Sequence, residues 1–171
     1  MKNLEHIKYT YKHRKIVMLL ADKYYSDNDE LRERIKYHDL DKLFMYLFYE
    51  KSYVSHIHRE LVSHHENDIE KSKLDYIEMV LDWESARYTK PDKPLNAYDT
   101  LCNFYPDMMD EILPILKNIG IDKSNIDMDK EILEYANSLN EITIEDITKE
   151  LMECLRMVLN NDKKIKVKQK I

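Results

Sequence analysis

The stretch IKYHDLDKLFMYLFYEKSYVSHIHRELVSHHENDIEK, residues 35 to 71, gathers the side chains of this protein best suited to chemistry. It carries a His-Asp step at His38-Asp39, two spaced histidines, His56 and His58, and a His-His-Glu run at His64, His65 and Glu66. Imidazole and carboxylate together suit a divalent transition metal such as Mn, Fe, Zn, Co or Ni, whereas Ca and Mg prefer cages made only of oxygen. All seven histidines of the chain fall between His6 and His65, so convergence of several on one ion is a matter of which helical faces they share. His6, two turns before His13, reads as a surface residue. Asp82, within MVLDWES beside Trp83, puts a carboxylate on an apolar helix. Burying such a group alone is costly, so it needs a cation or several donors.

Helical periodicity supplies the elements that must position these residues. From Leu4 to about Tyr24, the positions Tyr9, His13, Ile16, Val17 and Leu20 share a face, which puts His13 among apolar neighbours. Asp27 or Asn28 can cap a second helix, DELRERIKYHD, whose inward positions are Leu31, Ile35 and His38. Adjacent residues on a helix diverge by about 100°, so His38 and Asp39 reach a common ion only near a helix end. A third helix is expected from near Asp41 through KLFMYLFYEK. A fourth, HIHRELVSHHEND, is expected behind a Ser55 cap. On that helix His58, Leu61, Val62 and His65 share a face, while His64 lies nearer Ile57 and Leu61. A fifth covers about Lys73 to Arg87. TKPDKPLNAYD then breaks the pattern with two prolines and reads as a functional loop or a boundary. Helices are expected in DMMDEILPILKNIG, ending at Gly120, in DKEILEYANSL and in TIEDITKELMECLRMVLNND, where Thr143 and Asp146 resemble a capping box.

The fold class expected is all-α, a compact bundle of seven to nine helices. A single glycine in 171 residues leaves no material for a P-loop or a dinucleotide-binding turn, both of which need several. The same scarcity argues against an all-β fold. A net charge of −6 argues against a nucleic-acid partner. No apolar run approaches the roughly 18 residues of a membrane span. Two isolated cysteines, Cys102 and Cys154, fit a reducing, cytoplasmic setting better than a disulfide framework. The last nine residues carry five lysines and read as a solvated, flexible tail, 163–171.

Taken in chain order, His13 on a first helix, His38-Asp39 closing a second and Asp82 on a later one resemble the signature of the HD-domain metal-dependent phosphohydrolases. HDLDK is similar to the family's habit of placing a lysine three residues after the Asp, and SHHE resembles the His-His-Glu of its binuclear members. The likeness covers about residues 4 to 98. It implies an HD-like metal-binding helical core over 1–98, with 99–162 completing the bundle or forming a small lobe. It also implies that His13, His38, Asp39 and Asp82 hold one divalent ion, with His65, His64 and His58 as candidate ligands of a second. The extra place falls to His58, to His56 or to neither. The implied reaction is attack of a metal-activated water on the phosphorus of a nucleotide or other small phosphoester. Lys42 would neutralise phosphate charge, and Asp41, Glu66 or a spare histidine would serve as general base. Arg87, Lys90 and Lys93 flank the proline loop and could contact an anionic substrate. The glycine-proline turn of the cyclic-dinucleotide-cleaving branch does not follow HHE, so that substrate is not implied. The alternative reading is a catalytically degenerate HD-like module that binds metal or another protein. The reading leaves a homo-oligomer open.

Overall fold

The computed structural model describes residues 3–90, 92 and 95–168, without the side chains of 157, 158 and 160–168. The described residues are all-α, with no strands. They form α1 (Leu4–Tyr24), α2 (Asp29–Ile35), α3 (Leu40–Met45), α4 (Lys51–Leu61), α5 (Lys73–Thr89), α6 (Ala97–Phe104), α7 (Met109–Asn118), α8 (Lys130–Ser138) and α9 (Ile144–Lys168). Single 3-10 turns stand at Pro106–Met108 and Leu139–Glu141. No helix among the described residues is long and apolar enough to cross a membrane.

Contacts divide the chain into Met1–Asn140 and Glu141–Ile171. In the first unit α1 and α5 pack along each other, and α5 also meets α6, α7 and α8. Tyr9 faces the end of α5 at Lys90, while His13 faces Ser85, so the two helices run antiparallel. α2 and α3 lie against α1, and α4 against α3. Ile16, Val17 and Leu20 of α1, Leu31 and Ile35 of α2, and Met79, Val80 and Leu81 of α5 are buried with residues of α6, α7 and α8 in one core. The helices on both sides of the proline-rich segment therefore belong to one unit. The second unit holds α9, which starts at a capping box in which Thr143 and Asp146 bond each other's backbone N–H. The backbone of α9 remains helical through Lys168, and 169–171 lie outside the described residues.

Local chemistry accounts for most boundaries. Asn28 accepts from the Leu31 N–H and starts α2. Ser72 and Asp75 close a full capping box at the start of α5, and Asn96 accepts from the Asp99 N–H to start α6. Part of the expected loop TKPDKPLNAYD is thus helix: α6 begins at Ala97. Glu84 of α5 reinforces that start by accepting from the Ala97 N–H at 3.0 Å. The fourth helix departs most from expectation. It begins at Lys51 rather than after Ser55 and stops at Leu61, because Val62 turns extended at φ −109°, ψ 127°. The Asn67 side chain donates to the carbonyls of Arg59 and Val62, both at 2.8 Å, and so satisfies acceptors that a longer helix would have used. Residues 62–70 consequently form turns, and the histidine pair within them is freed from helical spacing.

Asp75 links the α5 cap to the rest of the unit, since its carboxylate also takes donors from Arg34 and Ser63. Burial pushes this carboxyl up, but the hydroxyls of Ser63 and Ser72, the Ser72 N–H and Arg34 outweigh it and hold it at about 2, below the usual 3.8. A carboxylate held low stabilises the fold above its unfolded pKa, and that stability is lost as pH falls through the folded value. Asp75→Asn should therefore lower stability by about 1–2 kcal/mol near neutral pH, the usual worth of a cap. The difference in urea midpoint from wild type should be largest above about pH 4 and narrow as pH falls towards 2.

Candidate metal centre

His13, His38, Asp39, His58, His64, His65 and Asp82 converge in the first unit, and the local structure explains how. His13 comes from the middle of α1 and Asp82 from α5, where their facing sides bring His13 Nε2 to 2.8 Å from Asp82 Oδ1. His38 and Asp39 occupy the turn between α2 and α3. Asp39 sits there in the left-handed region at φ 53°, a conformation that Asp tolerates better than most residues. This break in helical geometry lets adjacent side chains face one centre, as the sequence required of a helix end. Buried Arg14 of α1 holds the turn by donating to the carbonyls of His38 and Lys36, the latter at 2.9 Å.

His64 and His65 point inward together because α4 has already ended. On a helix adjacent side chains diverge by about 100°, and the turn at 62–70 removes that constraint. The rings of His38 and His64 lie 4.5 Å apart between centroids, those of His64 and His65 4.5 Å, and those of His58 and His65 4.8 Å. His58, fully buried on α4, is the spaced histidine that joins the cluster, while His56 is exposed.

Three overlapping sets could hold a metal ion, each with its donor atoms within 4.8 Å of one another: Asp39 with His58, His64 and His65; His13 with His38 and Asp39; and His38 with His64 and Asp82. Asp39 belongs to two of them. Asp39 Oδ1 and the Nε2 atoms of His58, His64 and His65 are buried without a hydrogen-bond partner. His58 Nε2 does come within 2.9 Å of Asp39 Oδ1, but without the alignment a hydrogen bond needs. Four inward-facing donors left without partners in one place are rare in folded interiors, and a cation satisfies all of them at once. These residues therefore fit a metal ion.

The outer nitrogens of the rings are anchored. His13 Nδ1 is 2.8 Å from Ser85 Oγ, and His58 Nδ1 is 2.7 Å from Asp41 Oδ2. His38 Nδ1 and His64 Nδ1 are 2.9 and 3.1 Å from the same atom, Glu78 Oε1. Carboxylates and hydroxyls that bond one ring nitrogen set the ring's orientation and leave the other nitrogen to bind a metal. Burial pushes Asp39 up, yet His38, Lys42, His58 and His64 hold it well below the ordinary carboxylate range. Asp82, also pushed up by burial, is held well below by His13 and His38. Burial drives the His65 imidazole down to about 3. His64 goes the other way, because the neighbouring carboxylates of Asp39 and Glu78 outweigh burial and raise it to about 9.

The remaining candidates occupy different surroundings. Lys42 bonds Asp39 Oδ2 at 2.9 Å at the margin of the cluster. Burial pushes its ammonium down, but Asp39, Asp82 and Asp41 outweigh that and raise it. Asp41 is turned towards the outer nitrogen of His58. Glu66 is exposed. Arg87 is buried and donates to Glu84 Oε1 at 3.3 Å and to the Ile126 carbonyl at 2.6 Å, a pairing that ties α5 to the segment before α8. The Lys90 ammonium lies 5.3 Å from the centre of the Tyr9 ring, which itself stacks on His13 at 5.8 Å. Lys93 lies outside the described residues.

Sequence reasoning missed Glu78, Ser85 and Arg14. A signal for the first two exists on α5: Asp75, Glu78, Asp82, Ser85 and Thr89 recur at spacings of three and four, so they form a polar stripe along one face. All but Asp82 are buried, and Asp82 keeps 18% of its side chain exposed, which makes it the wettest member of that stripe.

The fold and the site thus define an all-α protein built round a buried imidazole–carboxylate cluster that could hold a metal ion. Against known protein families, curated proteins and solved structures, the chain finds no match.

Because Arg14 fixes the carbonyls of the His38-Asp39 turn, Arg14→Met should destabilise the protein by about 2–4 kcal/mol, the loss of two charge-assisted bonds. Chemical denaturation in the presence of a chelator measures this free of any metal contribution.

Proposed function

We propose that the protein is a metal-dependent phosphohydrolase that acts on a nucleotide or another small phosphoester, using a centre of two divalent transition ions. The observation that carries this reading is the sharing of Asp39 between two ligand sets, in one of which Asp39 Oδ1 and the Nε2 atoms of His58, His64 and His65 have no hydrogen-bond partner in the protein. His13, His38, Asp39 and Asp82 would hold one ion, and Asp39, His58, His64 and His65 the other. The HD-like order of His, His-Asp and Asp along the chain supports the same assignment. When bound, such ions acidify water and neutralise charge on a phosphoryl oxygen.

The residues of the chain have separable roles in that reading. Asp39, bonded on Oδ2 by Lys42, has Oδ1 facing His58 and His64 and belongs to both subsites. Lys42 offers an ammonium beside the anionic ligands, where it can meet phosphate charge as that charge grows in the transition state. Asp41 keeps the His58 ring turned inward. Asp82, partly exposed, stands where solvent reaches the cluster. The helices α1 and α5 hold these groups on rigid, buried backbone, so the site needs little reorganisation before reaction.

The deciding measurement is release of phosphate or of the leaving alcohol from nucleoside monophosphates, triphosphates, cyclic phosphates and simple aryl esters with Mn, Co or Ni. Turnover that disappears in Asp39→Ala and His38→Ala is the expected result. Lys42→Ala should keep its metal but lose roughly 100-fold or more in kcat, as removal of one electrostatic group from an active site commonly does. Failure of every ester, with metal content intact, would overturn the enzyme reading and leave a metal-binding module. Independently, metal at about 100 times its Kd should stabilise the folded state by about 2.7 kcal/mol. His64→Ala should cut that gain in a thermal melt.

A further inference from the structure

Glu78 belongs to neither ligand set of the proposed centre, yet it touches both. Its Oε1 atom receives His38 Nδ1 at 2.9 Å and His64 Nδ1 at 3.1 Å, and His38 and His64 are assigned to different subsites. The side chain is 4% exposed, and its second oxygen is held by Arg34 Nε. Arg34 also bonds Ser63 Oγ at 3.1 Å, and Ser63 immediately precedes His64. The other two anchors behave differently: Ser85 holds His13 alone, and Asp41 holds His58 alone. We infer that Glu78 is a positioning residue common to both metal subsites, so that one carboxylate oxygen sets the aim of an imidazole in each.

This inference rests on the two-ion reading above and adds a shared anchor to it. A carboxylate that accepts from Nδ1–H fixes the tautomer with a free Nε2 lone pair and restrains the ring against rotation. Here a single acceptor imposes this on two rings whose centroids are 4.5 Å apart. Both subsites thus depend on the aim of rings held by one carboxylate oxygen. Loss of Glu78 therefore weakens both subsites, whereas loss of Ser85 or Asp41 weakens only the subsite that each serves.

The test is titration of manganese(II) into metal-free full-length protein, followed by calorimetry and by the electron paramagnetic resonance of free and bound ion. Wild type should take up two equivalents. Glu78→Gln should weaken both by about 10- to 100-fold, the usual cost of losing an outer partner of a metal ligand. Ser85→Ala and Asp41→Ala should each weaken one equivalent and leave the other in place. One equivalent in wild type overturns the two-ion reading before any variant is compared. Two equivalents with Glu78→Gln weakening one or neither overturns the present inference alone. Should Glu78→Gln fail to fold with Arg34 left against an amide, Arg34→Met/Glu78→Gln removes both buried charges and takes its place. Zinc-loaded wild type provides a measurement without any substitution: histidine proton–nitrogen spectra should show Nδ1-bound, downfield protons on both His38 and His64. An Nε2-bound proton on either ring overturns the inference.

Discussion

Three inward-facing carboxylates, the buried Asp39 and Glu78 and the partly exposed Asp82, set the terms for the rest of the first unit. An ionised carboxylate without partners is too costly for a protein interior, so every neighbouring element must bring a donor. α1 brings His13, the turn after α2 brings His38, α3 brings Lys42, α4 brings His58 and the following turn brings His64. Arg34 of α2 completes the set from the far side of Glu78. The packing of α1 against α5 and the burial of the turn at residues 36–39 are thus inseparable from the charge balance of the centre.

That balance is met unevenly. The outer nitrogens of the anchored rings have good acceptors, while several inner atoms have none. An interior evolved only for stability would satisfy both or replace both with apolar groups, because half-satisfied networks cost more than apolar ones. Conformational choices point the same way. Asp39 adopts a left-handed backbone, and Asn67 cuts α4 short so that His64 and His65 turn inward. Unfavoured backbone held in place by its surroundings tends to cluster where ligands bind.

A second contrast separates the two sides of α5. One face carries the polar stripe, and the other joins Leu81, Val80 and Ile77 to the core shared with α6, α7 and α8. The pair Glu84–Arg87 belongs to neither ligand set and fastens the start of α6 and the Ile126 carbonyl to α5. The C-terminal helices of the first unit therefore support the site indirectly, by fixing the helix that bears Asp82, Ser85 and Glu78.

The chain's own pattern was enough for the all-α class and for most helix positions, since helical period is a local property. α1, expected from Leu4 to about Tyr24, was legible because apolar period and length agreed. Seven residues were singled out as ligands on type, spacing and likeness, and all seven meet in space. What the sequence could not supply was direction. Whether His64 and His65 share a centre depends on where α4 stops, and a side chain five residues beyond that histidine's turn began, Asn67, decides it. The anchoring roles of Glu78, Ser85 and Arg14 were likewise hidden, because each acts on a residue 24 to 72 positions away. Local chemistry chose the groups; only tertiary packing, which brings distant donors to buried acceptors, decided which atoms face inward.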